Sequence, residues 1–197
     1  MFLLKLTKYA FFIFMLLATQ LGYAADSTCH ENTPGQMTDR FTDLGDGTAL
    51  DTQTKLIWQR CNFGQVWHAD SDSCQSFTTK QTWRDSLTAI KNYNDTAFAA
   101  NLPDDWRMPN IKELSSIIDL SCVGLTLNTE IFLVDEKSVY WTSTPNAAGI
   151  SFKLNSDSTG YIDENLIWTI DTEKGTEQVE ALSSTRMTIM VRGPEEP

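Results

Sequence analysis

Asp105-Trp106-Arg107-Met108-Pro109-Asn110-Ile111-Lys112-Glu113-Leu114 is the stretch from which the rest of the chain can be laid out. Pro109 fixes its own φ and holds Met108 in an extended conformation. Asn110 and Glu113, three residues apart, form a capping-box pattern. The stretch therefore passes from extended chain to helix at a defined residue. Ile111, Leu114, Ile117 and Ile118 fall on one face of that helix, which the pattern carries to about Ser121.

Upstream, Trp83, Leu87 and Ile90 recur at helical spacing, with Thr82 as N-cap and Asp85 at N3. This predicts a helix from Gln81 or Trp83 to about Tyr93. Before it, Phe41 opens an extended segment and Leu44-Gly45-Asp46-Gly47 supplies turn chemistry. Thr48–Asp51 then leads through a second turn, 52–55, into Leu56-Ile57-Trp58-Gln59-Arg60. This reads as a short β-meander. Residues 61–78 form a loop bracketed by Cys61 and Cys74. Downstream, Val139–Thr142, Ile150–Leu154, Leu166–Ile170 and Met187–Arg192 are candidate strands. Strands, two helices and more strands make an α+β fold with short antiparallel strands. One domain is expected over 40–193, after an irregular lead-in at 25–39 and before a tail at 194–197.

The chain has 197 residues, with 26 acidic against 15 basic side chains and a formal charge of −11. That balance lacks the cationic footprint of a nucleic-acid or anionic-membrane binder. Residues 1–24 read as a secretory signal peptide. Lys5 and Lys8 precede the mostly apolar run Tyr9–Ala18, and Gly22 and Ala24 are the small residues before a cleavage point. The apolar run is about half the roughly 20 residues that a membrane span needs. Removing 1–24 discards two lysines and no acid, taking the charge to −13. The expectation is an exported protein, periplasmic, cell-surface or extracellular, and no integral membrane protein after cleavage. Cys29, Cys61, Cys74 and Cys122 all survive, and in an oxidising compartment an even set reads as disulfides. Four cysteines allow three pairings. Neither the cysteines nor His30 and His68 fall at metal-ligand spacing, and no cofactor is implied.

Several segments, in order, resemble one family. They are Arg40-Phe41-Thr42-Asp43 with Gly45-Asp46-Gly47-Thr48, then Asp51 and Leu56-Ile57-Trp58-Gln59-Arg60-Cys61. Next come Gly64-Gln65 with Trp67, then Cys74, Trp83, the Asp105–Leu114 stretch and Cys122. Tyr140-Trp141-Thr142-Ser143-Thr144-Pro145 and Val191-Arg192-Gly193 complete the set. The chain resembles the Lcl C-terminal domain family, the end domain of a bacterial collagen-like adhesin, over roughly residues 28–193. The resemblance implies a C-type-lectin-like fold and two disulfides, Cys61–Cys74 and Cys29–Cys122. In the chain-entropy account the first would contribute about 3 kcal/mol and the second about 4.6. The opening Arg107-x-Pro109 is also similar to that of formylglycine-generating-enzyme-like domains of the same superfamily.

Candidate chemistry is sparse. Asp43, Asp46 and Asp51 place three carboxylates in one loop, which suits calcium. The EF-hand spacing is missing, and a hairpin turn needs the same Gly and Asp residues. The calcium-dependent sugar-binding strings of lectins are not matched. No G-x-S-x-G elbow is present, and neither histidine sits in a nucleophile motif, so no catalytic residue is expected. Trp58, Trp83, Trp106, Trp141 and Trp168 read as core. Trp67, in the polar Cys61–Cys74 loop, either stacks on a sugar or partner or acts as a lid on the core. Residues 155–180 carry seven acids and one lysine. Asp163, Glu164, Asp171 and Glu173 belong to a solvated face or to an anionic recognition surface. The expected function is a secreted, non-catalytic binding module for an extracellular glycan or protein, in a role such as adhesion. The alternative is an envelope assembly or secretion-associated subunit that binds a basic protein through the acidic face. An enzyme on the formylglycine-generating scaffold is the third reading. The adhesin that names the family binds sulfated polysaccharides. The present chain lacks its collagen stalk, and a charge of −13 opposes that ligand.

Overall fold

The computed structural model describes residues 28–29, 39–134, 137–146, 151–154, 160–163 and 166–193, with backbone alone for 28–29, 151–154 and 160–163. The expected signal peptide, almost all of the lead-in, His30, Glu164 and the tail lie outside the described residues. The strands, in chain order, are β1 Thr28–Cys29, β2 Phe41–Asp43, β3 Thr48–Asp51, β4 Ile57–Gln59, β5 Val66–His68, β6 Ser73–Gln75, β7 Cys122–Val123, β8 Val139–Pro145, β9 Ser151–Leu154, β10 Gly160–Asp163, β11 Leu166–Asp171, β12 Thr176–Ala181 and β13 Val191–Arg192. Two α-helices interrupt them, α1 Trp83–Ala99 and α2 Ile111–Ser116. The expected α+β class, with short antiparallel strands and two helices, is what the chain adopts.

The expected meander forms. β2, β3 and β4 pair antiparallel, and β13 closes the sheet in the order β13-β4-β3-β2. A second sheet has the order β12-β11-β8. The stretch from Met187 to Val191 sews the two together. Trp141 donates its amide to Met187, Gln59 to Met190 and Phe63 to Thr188, while Arg107 and Val191 exchange both backbone bonds. Met187, Ile189, Met190 and Val191 are all buried. The run is apolar without strict alternation because it is covered on both sides. Only Val191–Arg192 forms a ladder, against the expected strand over 187–192, and Met187 makes an isolated bridge to Tyr140.

The opening stretch behaves as its residue types dictate. Trp106 and Met108 point into the core and Arg107 points out. The Asn110 side chain accepts the Glu113 amide and the Glu113 carboxylate accepts the Asn110 amide, at 2.9 and 2.8 Å. Glu113 also takes a bidentate pair from Arg107. Thr144 Oγ1 accepts the Ile111 amide at 3.0 Å, so β8 caps the helix from the side. α2 has six residues and stops at Ser116, short of the expected Ser121. A helix well below about 12 residues does not stand alone in water. Leu114, Ile117 and Ile118, buried with Trp58, Phe132, Tyr140 and Ile189, hold it in place. After Ser116 the chain turns so that Asp119 can donate to Thr126.

α1 runs past the expected Tyr93 to Ala99, since nothing in Asn94–Ala99 breaks a helix. Asn94 anchors this second half by donating to the Trp106 carbonyl at 2.7 Å. Asn101, at φ 53°, and Pro103 end it. Its buried face runs through Ser86, Ile90 and Ala97, and Leu87 stands 36% exposed. The expected Trp83-Leu87-Ile90 stripe is therefore rotated. Trp83 donates its indole N–H to the Thr142 carbonyl, and Thr188 donates to the buried Ser86 hydroxyl. Those two bonds turn the 83/86/90 side inward. Trp58, Trp106 and Trp141 are core as expected, while Trp83 and Trp168 are half-buried.

Asp51, at the end of β3, is fully buried. It accepts from Arg40, from Thr54 Oγ1 and from the amides of Gln53 and Thr54. Arg40 also reaches the Ser116 carbonyl, so one ion pair joins the meander to α2. Burial pushes the Asp51 pKa up, but the Arg40, Thr54 and amide bonds outweigh it and bring it to about 2 from 3.8. A carboxyl whose folded pKa is depressed adds stability that is complete above pH 3.8 and lost as the pH falls through about 2. The expected contribution is about 2 kcal/mol. In urea titrations, wild-type stability should fall between pH 4 and pH 2 more steeply than that of Asp51→Asn. A residual slope should remain from Glu113 and Asp171, whose folded pKa values also lie below their usual range.

Candidate functional site around Trp67

The Cys61–Cys74 bridge forms, with Cα atoms 5.6 Å apart. It closes the loop that the sequence left irregular, and the loop has structure of its own. β5 and β6 pair antiparallel across a 3₁₀ turn at Ala69–Ser71, with Trp67 opposite Cys74. Asp72, at φ 40°, makes the left-handed step that starts the return strand. At the base of the loop, Gly64 has φ 95° and the Gln65 side chain accepts the Asn62 amide at 3.2 Å.

Arg60 organises the surroundings. Its side chain is 2% exposed. The guanidinium donates to Asp43 at 2.8 Å, to Asp72 at 2.7 and 3.3 Å, and to the Ile131 and Glu130 carbonyls at 2.9 and 3.4 Å. Asp72 also accepts the Trp67 indole N–H at 3.0 Å. The bonds from Arg60 and Trp67 hold the Asp72 carboxyl below the ordinary aspartate range. Trp67 is thus oriented through Asp72 by a buried cation. On its other side lies Gly47, at φ 84°, where a Cβ would come within 2.8 Å of the Trp67 side chain. Trp67 therefore packs between the tip of the β2–β3 hairpin and its own loop, half-buried.

One wall of a groove of ≈ 430 Å³ is Trp67. Phe63 and Tyr93 line it as well, ring to edge at 6.5 Å, with Gln59, Gln65 and Asp46 among the polar contributors. The groove also reaches Trp106 and Met190, so its floor is the second apolar cluster of the core. Asp46 is the only lining residue with a side chain charged at neutral pH.

The three hairpin carboxylates do not converge. Asp43 pairs with Arg60 and caps Gly45, Asp46 accepts from Thr48, and Asp51 pairs with Arg40. No group of three or more His, Cys, Asp or Glu among the described residues is arranged to hold a metal ion. Within the acidic segment the expected strand at Leu166–Ile170 forms as β11 and pairs antiparallel with β12, a strand the sequence did not suggest. β12 was not foreseen because Thr176-Glu177-Gln178-Val179-Glu180-Ala181 is polar, as exposed edge strands tend to be. Asp171 is buried. It accepts from Lys174 Nζ at 2.7 Å and from the Glu173 and Lys174 amides, which fixes the turn. Glu173 lies 3.7 Å from Lys137, Glu177 accepts from Ser115, and Glu180 pairs with Arg186. The side chain of Asp163, on β10, lies outside the described residues, as does Glu164. Asp171, Glu173, Glu177 and Glu180 do not line the Trp67 groove.

Cys122 carries no free thiol, and the β1–β7 pairing sets the Cα of Cys29 opposite it. The side chain of Cys29 is outside the described residues. His68 is exposed on β5. No helix of the described residues is long and apolar enough to cross a membrane.

The profile of the Lcl C-terminal domain family matches residues 47–192, most of the chain. The chain belongs to the Lcl C-terminal domain family. The matched span holds Trp67, its bridge, Arg60 and Asp72, together with the whole groove except Asp46. A search among curated proteins finds no match.

Sequence reading singled out Trp67 and both of its bridge cysteines but missed Arg60 and Asp72. An arginine between Trp58 and Cys61, in an otherwise buried strand, was the available signal. Nothing in Asp70-Ser71-Asp72 separates the second aspartate from the first. Two outcomes follow. Arg60→Met should cost about 1–3 kcal/mol in urea denaturation, because the Ile131 and Glu130 carbonyls lose a buried donor and Asp43 and Asp72 lose the cation that joins them. Asp72→Asn should lower the unfolding midpoint, because the buried Arg60 guanidinium keeps only Asp43 as a carboxylate partner, and should also shift Trp67 emission and speed hydrogen exchange over residues 66–75.

Proposed function

We propose that this Lcl C-terminal domain is an exported, non-catalytic binding module whose ligand site is the Trp67 groove. Export by residues 1–24 would place it in the periplasm, at the cell surface or outside the cell. The observation that carries the reading is the braced aromatic wall. Trp67 is held by Asp72 and Arg60, next to a groove whose volume falls within the roughly 300–1,000 Å³ of small-molecule sites. A ligand there would be a glycan or a protein segment at a surface, in a role such as adhesion. The basic-partner alternative is weakened by the pairing of Asp171, Glu173, Glu177 and Glu180 within the fold. A C-type-lectin-like ancestry is part of the proposal. So is a second bridge, Cys29–Cys122, supported by the facing Cα positions and by the absence of a free thiol at Cys122.

Two measurements test this. A photo-cross-linking residue at Val66, exposed on the groove, should capture a ligand from the envelope fraction or culture medium. The same residue at Val179 on β12 should not. Capture from Val179 alone would move the site to the acidic hairpin and sink the groove reading. Non-reducing peptide mass spectrometry should find Cys29 linked to Cys122 in the exported protein.

A further inference from the structure

We infer that the Trp67 groove takes an uncharged saccharide, with a sugar ring against the aromatic wall and its hydroxyls bonded by Gln59, Gln65 and Asp46. This rests on the groove being the ligand site and adds the chemical class of the ligand. The apolar side of the groove is built from Trp67, Phe63 and Tyr93. Such rings cover the C–H face of a pyranose, which is the apolar part of an otherwise polar molecule.

The polar groups decide among ligands that could use such a wall. Gln59 spends one of its two amide N–H groups on the Tyr93 hydroxyl at 3.4 Å, which leaves the other to donate and its carbonyl to accept. Gln65 has its carbonyl engaged instead. Its carbonyl takes the Asn62 amide at 3.2 Å, which leaves its N–H groups to donate. Asp46 uses Oδ1 for the Thr48 amide and hydroxyl, leaving Oδ2 as a second acceptor. The groove thus offers acceptors and donors together. A hydroxyl is both donor and acceptor, and a sugar carries several side by side.

Charged ligands match this set less well. A sulfate or carboxylate brings acceptors only and would meet the Asp46 carboxylate with no cation among the lining residues. An ammonium or guanidinium brings donors only and would bury the Gln65 N–H groups unpaired. The neutral polyol satisfies both kinds of group.

The exported protein should be tested on an array of neutral, sulfated and sialylated oligosaccharides, with a lysine-rich peptide alongside. Hits should then be titrated by calorimetry at low and high salt. The expected result is a neutral glycan bound with an affinity that hardly changes with salt. Gln59→Ala and Trp67→Phe should each weaken it roughly tenfold, with melting temperatures near that of the wild type. A preference for sulfated glycans or for the lysine peptide that fades with salt would overturn the inference. An array with no neutral hit would also overturn it, and if Val66 still cross-links a ligand, the site stands and only the ligand class fails. Neutral-glycan binding that is equal in the wild type and both variants would overturn the site itself.

Discussion

The guanidinium of Arg60 sits out of water, and the arrangement around the groove follows from that constraint. Removing a cation from solvent costs several kcal/mol unless its donors are met. Arg60 meets them by drawing in Asp43 from the β2–β3 hairpin, Asp72 from the bridged loop and two carbonyls from the 128–134 segment. Three pieces of chain distant in sequence are therefore pinned to one side chain. The Cys61–Cys74 bridge begins at the next residue, so the covalent and the electrostatic ties act at the same place. Trp67 is oriented as a consequence, since its indole bonds the carboxylate that Arg60 holds.

The floor of the groove depends on a different set of forces. Trp106 and Met190 belong both to the buried cluster around Trp141 and to the groove. Trp106 is set by the stretch that ends in Pro109-Asn110, and Met190 by the seam between the two sheets. Arg107 and Val191 join these through paired backbone bonds. The helix cap, the seam and the groove floor are thus mechanically linked. Arg192 extends the link outward, lying over the Trp106 ring at 5.5 Å.

What was legible in the sequence were local instructions. The capping box at Asn110 and Glu113, the Gly-Asp turn at 44–47 and the cap at Thr82 each depend on a few adjacent residues, and each forms as read. Extents were less legible. α2 stops early because tertiary hydrogen bonds claim the chain after Ser116, and the face of α1 is rotated by bonds to Thr142 and Thr188. Both effects come from residues far away in sequence. The acidic segment shows the same limit. Its charge count suggested an open surface, whereas the described acids find Lys137, Lys174, Arg186 and Ser115 once the chain is folded.

By itself the sequence determined the α+β class, the two helices, the strands of the 41–60 meander and those at 139–142 and 166–170, and the family. These follow from periodicity, caps, turn residues and an ordered set of motifs, all properties of neighbours along the chain. Only the tertiary structure decided that Arg60 is buried and what it binds. The same holds for the convergence of Gln59, Gln65, Asp46 and Tyr93 on one groove. Their proximity comes from packing between segments up to 47 residues apart, Asp46 to Tyr93, a relation that no local pattern records.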